Sequence, residues 1–378
     1  MINRSENITS DKARILMFSQ RNIFNYYFTC ALYEFEDLIC QMDRVELLTP
    51  HPSKWFKYGD RIANRLAVNF AVVLNPGIPK IRIKENYDLF FAICQFPKDL
   101  INVDTVEGWK DNCRVSICWL NEIYATDVYK DRYFLKILSK FDYVILNCSQ
   151  SVNAVNDVIG DKSFYSPFGV DAILFCPYPE PPQRLIDVYS VGRRSEETHN
   201  SLLRMVKEKR IYYIYDTLDG KKVLNANQHR LLYASTAKRT KYFVVNPGKI
   251  DCPEETGGQS EIGFRYFEGA ASGTIMIGEY PKNDEFKKNF NWPDVVVHLP
   301  FGSDNVEMLI DELGKQPERQ DKIRTTNVVQ SLMRHDWVYR WEMVLKTAGL
   351  APCPQLLERK RRLENLSKIV DMGLSPSY

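Results

Sequence analysis

The sequence predicts an α/β protein built from two doubly wound parallel-sheet domains, and three observations carry that expectation. Short, nearly continuous apolar runs alternate with helical patterns, as expected for parallel strands covered on both faces by helices. The alternation stops at Pro177–Pro182 (PYPEPP), a stiff, extended linker, and then starts afresh. At 378 residues the chain also exceeds one ordinary domain, so two of moderate size are the natural division. No segment repeats at a fixed period, which excludes a solenoid.

In chain order, Arg14–Ser19 (RILMFS) reads as an opening strand. A loop follows at Gln20–Asn22, then an aromatic helix through Cys40 and a second strand at Val45–Thr49. A helical stretch near Asp60–Phe70 precedes strands at Tyr87–Cys94, Arg114–Leu120 and Asp142–Asn147, with a helix at Ser149–Ile159. Beyond the linker come a strand at Leu185–Val191, a helix at Thr198–Lys209 and a strand at Ile211–Tyr215. A helix at Asn225–Ser235 and a strand at Tyr242–Val245 lead into the segment 251–281. Its Gly- and acid-rich loop passes at Ser260 into a helical pattern with Ile262, Tyr266, Phe267 and Ala270 on one face. Gly273 suits the left-handed position that closes such a helix, and Thr274–Ile277 is a buried strand. Val295–Leu299 is the last strand, and helices fill the chain from Asn305.

Composition is that of a globular protein, with 44% hydrophobic and 26% charged residues. A net charge of +2 implies no nucleic-acid partner. Arg359–Arg362 form the one basic cluster, a solvated helix face offering at most peripheral contact with anionic lipid. No apolar run reaches membrane-spanning length, and Met1–Lys12 has no apolar signal core. The nine cysteines contain no CxxC pair, and Cys94, Cys118 and Cys148 lie in apolar stretches. Reduced thiols fit a cytoplasmic protein. His51, His199, His229, His298 and His335 are not spaced as metal ligands, so no metal is expected.

Two places carry chemistry. Val191-Gly192-Arg193-Arg194 stands where a strand ends and a helix begins. Open parallel sheets bind ligands outside those carboxyl ends, and a guanidinium there grips a diphosphate with two parallel hydrogen bonds. The loop opening the helix after Ser260 presents free N–H groups and the positive end of a dipole, suited to a phosphate or a sugar hydroxyl. Glu261 and Glu268, two helical turns apart, are expected to point the same way. Competing motifs are missing: no G-x-G-x-x-G follows a strand, and there is no G-x-x-x-x-G-K-[ST] loop or G-x-S-x-G elbow. Asp216 and Asp219 read as a turn rather than a metal-binding pair.

The segment Gly263-Phe264-Arg265-Tyr266-Phe267-Glu268-Gly269-Ala270-Ala271-Ser272-Gly273-Thr274 resembles the G-x-R-x-F-E-x-x-A-x-G-T stretch of GT-B glycosyltransferases of the family 4 group and its CgeB-like spore-maturation branch. Gly169-Val170-Asp171 with Phe175 and Pro177 is similar to the stretch closing the first domain in these enzymes. Arg334–Trp341 resembles the helix with which such chains cross back. The resemblance implies the GT-B layout: two Rossmann-like domains facing across a cleft. These are 1–178 on the acceptor side and 179–335 binding the nucleotide-sugar, with helices of 336–378 returning to the first domain.

The activity implied is transfer of a sugar from a nucleotide-sugar donor to a hydroxyl of a glycan, polysaccharide or lipid-linked acceptor. No cofactor or metal is involved, and anomeric configuration is retained. On the donor side the resemblance implicates Gly192, Arg193, Arg194, His199, Ser260, Glu261, Arg265, Glu268, Ser272 and Gly273. Glu261 and Arg193 are the catalytic candidates, and Glu268 the ligand of the ribose hydroxyls. Relatives carry a Lys after Gly-Arg; here Lys238, Arg239 or Lys249 would supply the second cation. Gln20, Arg21, Asn22, Asn121 and Glu122 are the acceptor-side candidates. Relatives also place the first Glu eight residues before the second, where this chain has Ser260, with Glu261 one place later. That displacement leaves two alternatives open, a catalytically silent nucleotide-sugar-binding module and a nonhydrolysing sugar-nucleotide epimerase. The implied location is the cytoplasm, with peripheral contact at the inner membrane face.

Overall fold

A computed structural model describes residues 12–70, 72–216 and 222–373; Met1–Asp11 and the Asp219 of the acidic pair lie outside them. The first sheet has six parallel strands in the order Val45–Leu48, Ile15–Phe18, Tyr87–Cys94, Cys113–Leu120, Tyr143–Leu146, Ser163–Tyr165. The second has five, in the order Tyr213–Tyr215, Ile186–Ser190, Thr240–Val245, Ile275–Gly278, Val297–His298, again all parallel. The central strands are buried along most of their length because helices cover both faces. That burial makes their sequences nearly uninterrupted apolar runs. Ser163–Tyr165, an edge strand, was not anticipated. Its three residues are too few to show a period.

The helix expected from Ser260 starts at Phe264, and the last strand shrinks to Val297–His298. At the helix start tertiary contacts replace local pattern, since Gln259 and Glu261 are hydrogen-bonded across to the first domain. The crossing helices Trp337–Thr347 and Pro354–Asp371 pack on the first domain. Trp337 stacks on Phe35 at 4.4 Å between ring centroids, and its Nε1 donates to Glu34 Oε1 at 3.0 Å. Asp336, fully buried, caps this helix through Val338 N and also accepts from Ala172 N and from Arg359.

Arg359 is therefore an internal ion-pair residue, bound to Asp336 and Asp171, while Lys360 pairs with Glu342 and Arg361 with Glu358. Three of the four basic residues at 359–362 are thus paired with carboxylates of the chain itself. All nine cysteines are free thiols.

Candidate functional site

The carboxyl edges of the two sheets face each other, and the loops leaving them meet. Lys249 reaches Glu122 at 3.4 Å, Gln259 Oε1 accepts from Ala125 N at 2.5 Å, and Val223 N donates to Asn25 O at 2.8 Å. On the second sheet the strand Ile186–Ser190 turns at Gly192, whose φ of +77° few side chains tolerate. Gly192 N donates to both Asp216 carboxylate oxygens, at 3.0 and 2.9 Å. Arg194 donates to Asp216 as well and lies over the Tyr215 ring. Arg193, with its side chain 45% exposed, reaches Asp251 at 3.0 Å and Cys252 Sγ at 3.1 Å.

Arg265 is the exception among these arginines. It sits in the first turn of the helix Phe264–Ala271, and its guanidinium lies against Gly192 at the crevice. Among the described residues it has no hydrogen-bond or ion-pair partner. A half-buried guanidinium without an anion, beside the N–H groups that open a helix, has the chemistry to hold a phosphate or carboxylate. Gly192 gives it room, since a Cβ there would stand 2.0 Å from Arg265 Nη2. Gly192→Ala should therefore both strain the turn and push Arg265 aside, lowering stability by about 1–2 kcal/mol in urea denaturation. An unchanged midpoint would show the turn to be looser than its geometry.

Glu268 is 4% exposed and does not face open solvent. Its Oε1 accepts from Arg230 Nη1 and its Oε2 from Tyr233 Oη at 3.0 Å. Arg230 Nε donates in turn to Glu34 Oε2 at 2.8 Å, so one buried guanidinium ties a carboxylate of each domain. Burial raises the Glu34 carboxyl above its ordinary value against the pull of Arg230.

Glu261 points elsewhere. It precedes the helix, and its carboxylate accepts from Ser149 N at 2.9 Å, Gln150 N at 3.0 Å and Ser149 Oγ at 3.0 Å. It thereby caps a helix of the first domain. Burial raises its carboxyl too, opposed by those N–H groups. The expected parallel pair of carboxylates does not exist, because one lies outside the helix and each has its own partner.

Other candidates are redistributed as well. Ser272 and Gly273 stand at the far end of the helix from Gly263, at the amino edge of the sheet, where Ser272 O accepts from Arg184. Ser260 contributes its carbonyl to Asn283 and Gln150. His199 meets Tyr213 Oη at 3.0 Å in a narrow crevice shared with Ser190, Arg194, Asn246 and Gly278, and burial with Arg194 nearby lowers its pKa.

Lys249 is held by Glu122 and Glu255, Lys238 by Leu174 O and Arg239 by Ser235, so none of these is an idle second cation. On the acceptor side, Gln20 is buried against Asn102 and Cys94, and Arg21 is paired with Glu36 and Asp37. Both serve the first domain's interior. Asn22 holds Thr49 O, Glu122 meets Lys249, and Asn121 is buried with its Oδ1 unpaired. Among the described residues Cys252, Glu254 and Glu255 bring potential metal ligands within 4.8 Å. Cys252 and Glu255 are engaged by Arg193 and Lys249, which accounts for the grouping as ion pairing in a loop.

Sequence reasoning missed Arg230 and Tyr233, which decide where Glu268 points; only their place on the helix Ala226–Lys238 hinted at them. A wider depression near Arg184, Lys241 and Arg324 opens at the amino edge of the second sheet. Parallel sheets bind at the other edge, so size does not decide here.

Residues 220–346 match a family model described as glycosyl transferase-like. No curated protein matches the chain by sequence. Among solved structures, HepE of Anabaena in complex with UDP and glucose is similar at a TM-score of 0.50 and 13% identity, over 89% of this chain and 99% of that one. An α-glucosyltransferase in complex with UDP-glucose and DNA containing an abasic site is similar at 0.51 and 11% identity, over 89% and 100%. With its two parallel-sheet domains facing edge to edge, the chain has the GT-B fold.

Proposed function

We propose that the protein is a glycosyltransferase of hexosyl type, taking a nucleotide-activated sugar such as UDP-glucose and acting on a glycan or lipid-linked hydroxyl in polysaccharide biosynthesis. The observation that carries this reading is the uncommitted Arg265 at the carboxyl edge of the second sheet. In the reaction the acceptor oxygen bonds to the anomeric carbon as the bond from that carbon to the diphosphate breaks. Arg265, Arg193 and the N–H groups opening the Phe264–Ala271 helix meet the charge growing on the diphosphate, without a metal. The acceptor's proton leaves with the diphosphate or to solvent. Retention of configuration and a cytoplasmic location complete the proposal, and the Arg265–Glu268 motif aligns it with the CgeB-like branch.

Incubation with a panel of sugar nucleotides should release nucleoside diphosphate, slowly without acceptor and faster with one. The silent binding module gains support from Glu261, whose carboxylate is held by the first domain. Tight donor binding with no turnover would favour it, and an isomerised donor would indicate an epimerase.

Glu268 enters the same proposal. Its carboxylate has accepting capacity beyond the bonds from Arg230 and Tyr233. Glu268→Ala should weaken nucleotide binding by roughly 30- to 1,000-fold, and Glu268→Gln by less. Calorimetric titration of each folded variant reads this directly. Wild-type affinity in Glu268→Ala would assign Glu268 to Arg230 alone.

A further inference from the structure

The helix Phe56–Phe70 is amphipathic the wrong way round. Its inward face is made of small residues at four-residue spacing, the buried Ala63 and Ala67 and the half-buried Gly59. A Cβ on Gly59 would stand 2.3 Å from Pro76 O, so the helix backbone presses directly on that segment. The large apolar side chains face outward: Trp55 is 75% exposed, Tyr58 63% and Ile62 57%, at i, i+3 and i+7. Phe70, 69% exposed, ends the helix, and Val72 and Leu74, which follow in sequence, are exposed as well. Monomeric proteins rarely leave such a contiguous apolar patch in water.

The charges around the patch narrow what covers it. Lys54, Lys57, Arg61 and Arg65 are exposed, and among the described residues none has an ion-pair or hydrogen-bond partner. Some lysines elsewhere on this domain find carboxylates, as Lys80 does Glu107 and Lys140 Asp104. Asp60 is the one acid between 54 and 74, and it is half-buried and bonded to Asn64. A second copy of the chain on a two-fold axis would set these four cations against their own images. An anionic lipid surface suits both features: aromatic rings lie at the headgroup level, aliphatic tips enter the acyl boundary, and cations reach the phosphates.

We propose that Trp55 and the helix Phe56–Phe70 dock the protein onto an anionic bilayer. No helix among the described residues is long and apolar enough to cross a membrane, so the contact is interfacial. The docking face also stands beside the acceptor side of the cleft: the Phe56 ring is 6.3 Å from that of Phe24, and Asn22 binds Thr49 O on the strand-to-helix connection. Delivery of a lipid-linked acceptor rests on the transferase reading; binding to the bilayer does not.

Flotation with phosphatidylcholine vesicles, with and without phosphatidylglycerol, tests the proposal. The full chain should float with the anionic vesicles at low salt and bind at least ~10-fold more weakly to neutral ones or at high salt. Replacing Trp55, Tyr58 and Ile62 together by alanine, or Lys57 and Arg61 together by glutamate, should each weaken anionic binding by ~10-fold or more. Both variants should unfold at the wild-type urea midpoint, since the altered side chains are exposed. Absence of flotation, or equal flotation by the folded variants, would overturn the proposal. So would a wild-type dimer that the triple variant converts to monomer, because a second copy would then cover the face. Donor turnover measured without vesicles keeps the two readings apart: an enzyme indifferent to vesicles overturns only the docking, and a vesicle binder with no affinity for nucleotide overturns only the transferase.

Discussion

Arg230→Ala should lower the unfolding free energy by about 3–5 kcal/mol, because it leaves two carboxylates buried without their shared cation. Arg230 is 5% exposed and stands between Glu34 of the first domain and Glu268 of the second, against the rings of Phe175 and Tyr233. The loss should depend on pH in a definite direction. Burial already raises Glu34 with Arg230 present, and without that cation the Glu34 carboxyl moves higher still. An acid whose folded pKa lies above its unfolded value stabilises the fold at low pH and ceases to do so as pH rises through the folded value. The deficit of Arg230→Ala should therefore be larger at neutral pH than near pH 5. Urea denaturation at the two pH values measures it. A deficit below ~1 kcal/mol, or one independent of pH, would mean that water or another cation reaches the two carboxylates.

Arg265→Ala is expected to do the opposite, sparing the fold and removing the ligand. With no bonded partner among the described residues, its truncation should change stability by no more than ~0.5 kcal/mol. Loss of a charge-assisted pair to a diphosphate should weaken nucleotide binding by roughly 10- to 150-fold. Arg265→Lys should fall between, keeping the charge and losing the planar fork. Calorimetric titration of a nucleoside diphosphate into the three proteins gives the ranking. Equal affinity in all three would place the diphosphate elsewhere.

The fold was legible where burial is uniform. Tyr87–Cys94 and Cys113–Leu120 lie at the centre of the first sheet, and the apolar runs Leu89–Cys94 and Ile117–Leu120 announce it. Legibility failed where a partner distant in sequence decides the local structure. The helix after Ser260 begins four residues late because Gln259 and Glu261 are bonded to the first domain instead. Motif likeness singled out Gly192, Arg193, Arg194 and Arg265, which the fold brings together at one sheet edge. It did not orient the carboxylates. Glu268 is aimed by Arg230, 38 residues away, and Arg230 by Glu34, 196 residues away, and spacing encodes neither. Ser272 and Gly273 belong to the motif through the helix's far end, where they close the turn onto the next strand. The helical stretch near Asp60–Phe70 carries no sign of which face is covered; only the small residues Gly59, Ala63 and Ala67, packed inward, show that the large apolar side chains face out.

Hydrogen–deuterium exchange with and without a nucleoside diphosphate tests the central claim most directly, because it maps where the ligand sits without presuming any residue's role. The account predicts slowed exchange at 191–195, 246–251 and 263–268, the loops and helix start at the carboxyl edge of the second sheet. Slowed exchange instead around Arg184, Lys241 and Arg324 at the amino edge, or no change at saturating nucleotide, would contradict it.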